Sequence, residues 1–362
     1  MSSFMDITQQ RITKLHEMLS RFKKNGRLRV ILLGAYGHGN VGDLAILDAM
    51  IEDLDNDKEI IYAVASKDLF LKEHYNINFV NPFSIRGFLH CLKQDAIVVG
   101  GGGLFGHETH LYMKIMMPFL IFAKLVLNRR LVFYNLGVYR AEKKTILKVL
   151  WFIIRRADAI LFRDDTDTDI VPVDILRRAK IEPDITFSLL PKEPRERAIA
   201  DLLKSSENVV GLSLRFVNYK NTHNEYDKRI AVTVKQVLID EFLEKDMRIL
   251  FMPFQPLDLA YIEHYFGDII EKYKDKFLIL RTEKYTINEI KWIISRLQLA
   301  LGMRLHFQIF SHDLHVPLIG ISYAPKNTNF LTKVKAPMVD AYTITADHLS
   351  NAIVAARINA KN

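Results

Sequence analysis

A glycine-rich turn between a strand and a helix constrains the fold of this chain more than any other stretch. An apolar run at residues 29–33 is followed by GAYGHGNVGD at 34–43, and apolar residues then recur at helical spacing as far as Leu54. Glycine is needed where the backbone approaches a ligand closely or adopts a positive φ angle. A strand, a tight turn and a helix N-terminus together place backbone N–H groups at the carboxyl edge of a sheet. The stretch therefore predicts a ligand site in an α/β fold.

Residues 37–42 also match the pattern G-x-G-x-x-G, which is typical of dinucleotide-binding folds. Asp43 argues against that function, because its carboxylate would lie at the helix start and compete with a phosphate for the same N–H groups. The next apolar strand ends in Ser66-Lys67-Asp68, which offers only a displaced acidic partner for a ribose. No Gly-Lys-Ser/Thr follows the turn, so it is not a P-loop. A purely structural tight turn is the remaining alternative to a ligand loop.

Apolar strands alternate with helical patterns in two blocks, which a charged, proline-containing stretch at 191–197 separates. Such alternation predicts parallel sheets with helices on both faces. We therefore expect two Rossmann-like parallel-sheet domains that face a cleft, at residues 1–190 and 191–345. A final helix at 346–362 could cross back onto the first domain. The expected strands are 29–35, 59–65, 77–80, 95–100, 131–136 and 158–162, then 208–214, 247–252, 277–280, 298–302 and 317–321.

The charge and the cysteine content limit the compartment and the partners. A formal charge of +8 suggests anionic ligands or an anionic membrane surface. The Lys and Arg residues are dispersed, without a basic run interleaved with aromatic residues, which argues against nucleic acid. Cys91 is the only cysteine, which favours a reducing compartment. The first residues lack the layout of a secretory signal, and the apolar stretch 115–127 is too short to span a bilayer. We expect a cytoplasmic protein.

The N-terminal segment 5–24 has the pattern of a basic amphipathic helix. Ile12, Leu15, Leu19 and Phe22 share one face, and lysines and arginines surround them. Packing on the first domain is one interpretation, and peripheral contact with a membrane is the other.

Several candidate ligand-binding residues follow the ends of predicted strands. Four glycines at 100–103 come directly after a buried strand, and the close approach of either a ligand or another loop would explain them. Arg163, Arg215 and Arg304 also follow strands, with His306 two residues further on. An Arg presents a rigid fork of donors to phosphate or carboxylate, and a His can exchange protons near neutral pH. A surface ion pair is the default role of any one of these arginines.

Ordered pieces of the chain resemble the polysaccharide pyruvyl transferase family. They are residues 34–47, the glycine run with Leu104, residues 302–306 (GMRLH) and residues 316–326, with weaker echoes at 163–165, 182–187 and 252–255. The chain departs from the family at Leu44, where many members have an acidic residue, and in the polar stretch 311–315. The family is similar in fold to the GT-B glycosyltransferases.

The resemblance implies an enzyme that transfers pyruvate from phosphoenolpyruvate to two hydroxyls of one sugar, which forms a cyclic ketal and releases phosphate. It implies a donor site in the second domain with Arg304, Arg215 and Lys326, an acceptor side in the first domain, and His306 as the acid that protonates the enol carbon. Asp43 or His38 would accept a hydroxyl proton. The remaining expected substrate-binding residues are Arg163, Gly37, Gly39, Asn40, Gly101, Gly102 and Gly103. The acceptor would be a sugar or a polysaccharide precursor, which could be lipid-linked. No metal or cofactor is expected, since phosphoenolpyruvate is a substrate.

Two other functions remain open from the sequence. A GT-B glycosyltransferase would use a nucleotide sugar and would need a polar or acidic ribose partner after a strand of the second domain, where no convincing one occurs. A non-catalytic module would bind a glycan or phosphate and release nothing. The pairs His107/His110 and His312/His315 have spacings that a zinc site could use, but without cysteine they favour ordinary packing histidines.

Overall fold

The computed structural model divides into two compact units, Met1–Leu189 and Leu190–Asn362. The boundary that the sequence predicts, between residues 190 and 191, differs from this division by one residue. The structure describes residues 12–36, 39–66, 77–105, 111–140, 144–164, 166–205, 208–218, 221–245 and 247–359.

The described part of the first unit contains a seven-stranded sheet in the order β3-β2-β1-β4-β5-β6-β7, and every neighbouring pair is parallel. Its strands are β1 (Leu28–Leu33), β2 (Ile60–Ala65), β3 (Asn78–Val80), β4 (Ala96–Phe105), β5 (Arg130–Val138), β6 (Ala159–Arg163) and β7 (Lys180–Glu182). Its described helices are α1 (Leu15–Ser20), α2 (Val41–Leu54), α3 (Ile85–Lys93), α4 (Leu111–Leu125), α5 (Lys144–Ile154) and α6 (Val173–Leu176).

The core of the first unit joins one face of the sheet to helices α3, α4 and α5. Strand residues such as Ile97 and Phe133 share a buried cluster with Cys91 of α3, Leu120 of α4 and Leu150 of α5. Helix α2 contacts β4 and α1. Parallel crossovers are right-handed, so the connections that run from β1 to β2 and from β3 to β4 lie on opposite faces. Helix α2 therefore covers the face that α3, α4 and α5 leave open.

The second unit has a six-stranded parallel sheet in the order β10-β9-β8-β11-β12-β13. The strands are β8 (Val209–Ser213), β9 (Arg248–Phe251), β10 (Phe277–Ile279), β11 (Leu299–Gly302), β12 (Leu318–Ser322) and β13 (Met338–Asp340). The described helices are α7 (Arg197–Ser205), α8 (Glu225–Glu241), α9 (Pro256–Lys272), α10 (Ile287–Ser295), α11 (Leu305–Asp313), α12 (Pro325–Lys333) and α13 (Ala346–Asn359). These two sheets confirm the expected fold class.

The terminal helices pack within their own units. Helix α13 buries Leu349 and Ile353 in the core of the second unit, whereas Ile358, which the sequence pattern placed on the same face, is exposed. Helix α1 buries Leu15 and Leu19 against the first unit. The described part of segment 5–24 thus packs on the first domain.

Two basic side chains around α1, Lys14 and Lys23, contact carboxylates of the first unit. The Nζ of Lys23 lies 2.7 Å from Asp57 and 2.6 Å from Glu59, and the Nζ of Lys14 lies 3.9 Å from Asp53. Because these lysines are already paired, nothing in the described residues supports contact between this helix and a membrane. Residues 5–11 lie outside them.

Candidate functional site

The strand order reverses at one point in each sheet, and several candidate site residues follow the strands at that point. In the second unit the reversal lies between β8 and β11. Ser213 pairs with Gly302 in the parallel register, so Arg215 and Arg304 occupy equivalent positions two residues beyond the strands. Open α/β sheets bind ligands at this edge because the connections diverge there and leave a crevice. The sequence prediction that both arginines lie at one sheet edge agrees with this geometry.

Tyr323, which follows β12, is the residue on which the cations of this edge converge. The Nη1 of Arg215 donates a hydrogen bond of 2.8 Å to the Tyr323 hydroxyl, and its Cζ lies 4.5 Å from the ring centroid. The Nε of Arg215 donates to the carbonyl of Phe216, which fixes the guanidinium plane. The Nζ of Lys326, in the first turn of α12, lies 5.8 Å from the same ring centroid. Tyr323 was not among the expected site residues, although it lies in the family-like stretch 316–326.

The pKa of the Tyr323 phenol reflects the positive charges around it. Burial by itself raises the pKa of Tyr323, but the positive charges of Arg215, Lys326 and Arg304 outweigh burial and lower the pKa below its usual value of 10.0. A site that stabilises a phenolate in this way also stabilises other anions that reach it. The cluster of Arg215, Arg304, Lys326 and Tyr323 is called the cationic cluster below.

Arg304 is bound to an acidic residue that the sequence analysis did not find. Its Nε donates 2.8 Å to one oxygen of Asp258, its Nη2 contacts the other oxygen, and Nη2 also donates 2.8 Å to Gln255. Asp258 is fully buried and accepts a further bond of 3.0 Å from the backbone N–H of Phe254. An acidic residue in the first turn of a helix, directly after the family-like stretch 252–255, is the signal that could have identified it. The expected role of Arg304 as a fork for the donor stays a prediction, and Asp258 orients that fork.

His306 is the second residue of α11 and is 9% exposed. Its ring centroid lies 6.1 Å from that of Phe310 on the same helix. Two buried amides fix the turn that carries Arg304 and His306: Gln308 donates 2.7 Å to the carbonyl of Gly302, and Asn327 donates 2.8 Å to the carbonyl of Met303. Such bonds hold the backbone of a site in place before a ligand binds. The role of His306 as an acid stays a prediction.

In the first unit, the loop after β1 leads into an N-capped helix. The Oδ1 of Asn40 accepts from the N–H of Gly42, and its Nδ2 donates 2.9 Å to Asp43. Gly39 has a φ angle of +62°, so this position favours glycine. A Cβ placed on Gly102 would lie 3.1 Å from the Asp43 carboxylate, which puts the glycine run beside this acid. Gly37 and His38 lie outside the described residues, and their roles stay predictions.

The close neighbour that explains the glycine run is helix α2. A Cβ on Gly101 would lie 2.0 Å from Ile46, and one on Gly100 would lie 2.7 Å from Met50. Gly101 also has a φ angle of +70°. A ligand and another loop were both expected as possible reasons for these glycines, and at these two positions the approach of α2 is sufficient. Substrate binding by Gly101, Gly102 and Gly103 stays a prediction, and Gly103 itself lies within β4.

Arg163 belongs to a buried ion pair within the first unit. It is 1% exposed, and it donates 2.7 Å to Asp184 and 2.6 Å to the hydroxyl of Tyr139. Asp184 in turn accepts from the N–H of Thr186. These contacts indicate a structural pair that fixes the stretch 182–187 against β6, so the expected substrate contact of Arg163 has no support here.

The described residues contain neither a metal-binding group of side chains nor a membrane-spanning helix. No group of three or more His, Cys, Asp or Glu side chains in this part of the chain could hold a metal ion. His107 and His110 lie outside it. Burial, together with His315 and Lys333, lowers the pKa of His312 to about 4, as expected of a packed neutral imidazole. No described helix is long and apolar enough to cross a membrane.

Comparison with solved structures supports the class that the two sheets define. The UDP-GlcNAc 2-epimerase of Methanocaldococcus jannaschii, in complex with UDP-GlcNAc and UDP, matches with a TM-score of 0.59 and 15% identity over 90% of this chain and 92% of that one. The S. aureus MnaA–UDP structure matches with a TM-score of 0.58 and 10% identity over 91% and 87%. At such identities the likeness shows the fold alone. The chain is thus a protein of the GT-B-like α/β class.

Sequence comparison then identifies the family. The family model described as polysaccharide pyruvyl transferase matches residues 40–325, and the chain belongs to this family. The amylovoran biosynthesis protein AmsJ of Erwinia amylovora is 19% identical over 86% of this chain and 87% of its own length. The family supports a transferase that acts in polysaccharide biosynthesis.

Proposed function

We propose that the protein transfers pyruvate from phosphoenolpyruvate to two hydroxyls of one sugar in a cell-surface polysaccharide or its precursor. The product is a cyclic ketal, and phosphate is released. The observation that carries the proposal is the cationic cluster at the switch point of the second sheet, in a chain that belongs to this family.

The charge of the cluster suits the donor. Arg215, Arg304 and Lys326 contribute three positive charges, and the buried carboxylate of Asp258 offsets one of them, so the net charge is +2. Phosphoenolpyruvate carries a phosphate and a carboxylate, and both bind well to charged N–H donors. The Tyr323 hydroxyl adds a neutral donor at the same place.

The proton balance of the reaction defines what the remaining residues must do. One sugar hydroxyl adds to the central carbon of the enol while the methylene carbon gains a proton, and the second hydroxyl then displaces phosphate. The two hydroxyl protons end on the new methyl group and on the phosphate. A positioned acid for the carbon and a base for the hydroxyl are therefore required. We propose His306 as the acid, with Asp43 or His38 as the base on the acceptor side.

The test is release of phosphate that depends on both phosphoenolpyruvate and a glycan acceptor, followed by detection of the ketal on the acceptor. Calorimetry then measures donor binding in Lys326→Gln and in Tyr323→Phe. We expect about tenfold or greater weakening for Lys326→Gln, since a bond to a charged group contributes about 1.5–3 kcal/mol. Lys284→Gln, an exposed lysine of the same unit, is the matched control.

Two results would overturn the proposal. Binding of UDP with no measurable binding of phosphoenolpyruvate would favour a glycosyltransferase. Donor binding without acceptor-dependent phosphate release, over a broad panel of acidic and neutral glycans, would favour a binding module. A spectroscopic check is independent of turnover: the phenol of Tyr323 should ionise below pH 10.0 in the free protein, because its pKa is lowered, and bound phosphoenolpyruvate should raise that pKa.

A further inference from the structure

The outer surface of helices α3, α4 and α5 is unusually apolar for a face that lies toward solvent. These neighbouring helices cover one face of the first sheet, and their outward positions include Ile85, Leu89, Ile115, Phe122, Leu125 and Phe152, all exposed. Ile85 is 82% exposed and Leu125 is 52% exposed. Clustered apolar exposure of this kind marks an interaction surface, whereas isolated exposed residues do not.

The same three helices carry positive charge and no negative charge. Their sequences, IRGFLHCLK, LYMKIMMPFLIFAKL and KTILKVLWFII, contain no Asp or Glu. Arg86, Lys93 and Lys148 are exposed on them and form no ion pair with any described residue. The nearby carboxylate of Asp158 is already paired, with Lys124 and Arg130.

The charges lie one helical turn from the exposed apolar side chains. Leu89 has Arg86 three residues before it and Lys93 four residues after it. Phe152 has Lys148 four residues before it, and the guanidinium of Arg156 lies 3.6 Å from its ring centroid. The exposed Ile115 and Phe122 of α4, and Val126 directly after its end, recur at helical spacing. Residues three or four apart share a helix face, so cations border apolar residues along the surface.

We propose that this surface, formed by the outward side chains of α3, α4 and α5, binds the face of a bilayer that contains anionic lipids. Apolar side chains would enter the acyl boundary, and the cations would pair with lipid headgroups. A second copy of this chain fits less well, because a symmetric contact would bring like charges together without a carboxylate between them. This surface is distinct from the N-terminal segment, where Lys14 contacts Asp53 and Lys23 contacts Asp57 and Glu59.

The test is co-sedimentation of the full-length protein with vesicles of phosphatidylcholine alone or mixed with phosphatidylglycerol. We expect binding only to the mixed vesicles, and it should weaken in molar salt because the screening length falls from about 10 Å to about 3 Å. The charge variant Arg86→Gln/Lys93→Gln/Lys148→Gln should bind on the order of 100-fold more weakly, at about fivefold per basic side chain. The apolar variant Ile85→Ser/Leu89→Ser/Leu125→Ser should lose about tenfold or more.

Matched controls change equally exposed residues elsewhere. Val232→Ser/Val354→Ser/Ile358→Ser removes apolar side chains that are 57%, 53% and 54% exposed in the second unit, and it should bind as the parent does. Lys58→Gln/Lys228→Gln/Lys284→Gln lowers the net charge by the same amount as the charge variant.

The proposal is overturned if mixed vesicles bind no better than neutral ones. It is also overturned if the controls weaken binding as much as the test variants do. A dimer in light scattering that the apolar variant converts to a monomer, without vesicle binding, would assign the surface to self-association. Because no reaction is measured, failure here leaves the proposed transfer reaction untouched.

Discussion

The buried pair of Arg304 and Asp258 makes a strong prediction about stability. Asp258 is fully buried and Arg304 is 6% exposed, and three hydrogen bonds connect Arg304 to Asp258 and Gln255. Removing one partner of such a pair leaves an uncompensated charge away from water, which destabilises by about 3–5 kcal/mol. We expect that loss for Asp258→Asn, which keeps the size of the side chain but removes its charge. The same loss is expected for Arg304→Met, which leaves the carboxylate with the N–H of Phe254.

The double variant separates a true pair from two independent effects. If the charges compensate one another, Asp258→Asn/Arg304→Met should lose less stability than either single variant, because it buries no unpaired charge. The coupling energy would then be at least about 3 kcal/mol, at the upper end of values for residues in contact. Glu283→Gln, which breaks the exposed pair with Arg281, should change stability by less than about 1 kcal/mol.

The two tryptophans allow the second unit to be followed alone. Trp151 lies in the first unit and Trp292 in α10 of the second. All variants would carry Trp151→Phe, and urea unfolding would be read from Trp292 fluorescence. Because chains of two units often unfold in more than one step, a probe confined to one unit is needed. If each single variant loses less than about 1 kcal/mol of unfolding free energy, as found for exposed pairs, the reasoning is refuted. It is also refuted if the double variant loses as much as the two single variants added together. The Arg304 fork would then not be held by Asp258.

Three further predictions concern single residues. His306→Gln should leave phosphoenolpyruvate binding near normal and reduce turnover by about 10²–10⁴-fold, since glutamine orients a ligand but delivers no proton; turnover near the parental rate would remove His306 as the acid. The pKa of His312 is lowered from 6.5 to about 4, chiefly by burial. The folded state therefore favours the neutral imidazole. Its contribution to the free energy of unfolding is complete above pH 6.5 and is lost as the pH falls toward 4, by about 3 kcal/mol at most. Urea titrations at several pH values should show this loss in the parent and in the exposed-residue control His348→Gln, but not in His312→Gln. Gly101→Ala should destabilise the first unit by at least about 2 kcal/mol more than Gly26→Ala. Both glycines have positive φ angles, but only a Cβ at position 101 would meet Ile46, at 2.0 Å. Equal losses of stability in the two variants would contradict this clash.

The sequence by itself determined the elements and their class. Buried runs such as 299–302 and 318–322, each followed by a helical pattern, indicate parallel strands wherever they lie in the sheet, because that information is local. Two edge strands, β7 and β13, were missed, because three residues of mixed polarity carry no usable period. The loops that carry Asn40, Arg215 and Arg304 were also found, since they follow strands directly.

Only the tertiary structure decided what these loops contact. Arg304 binds Asp258, 46 residues away, and Arg215 binds Tyr323, 108 residues away. Neither distance in sequence leaves a local pattern, because the partners meet only when β9, β8, β11 and β12 pair in that order. For the same reason the glycines at 100–101 suggested a ligand from sequence alone, whereas the packed chain places helix α2 against them. Local spacing encodes which elements form, and side-chain partners depend on the order in which those elements assemble.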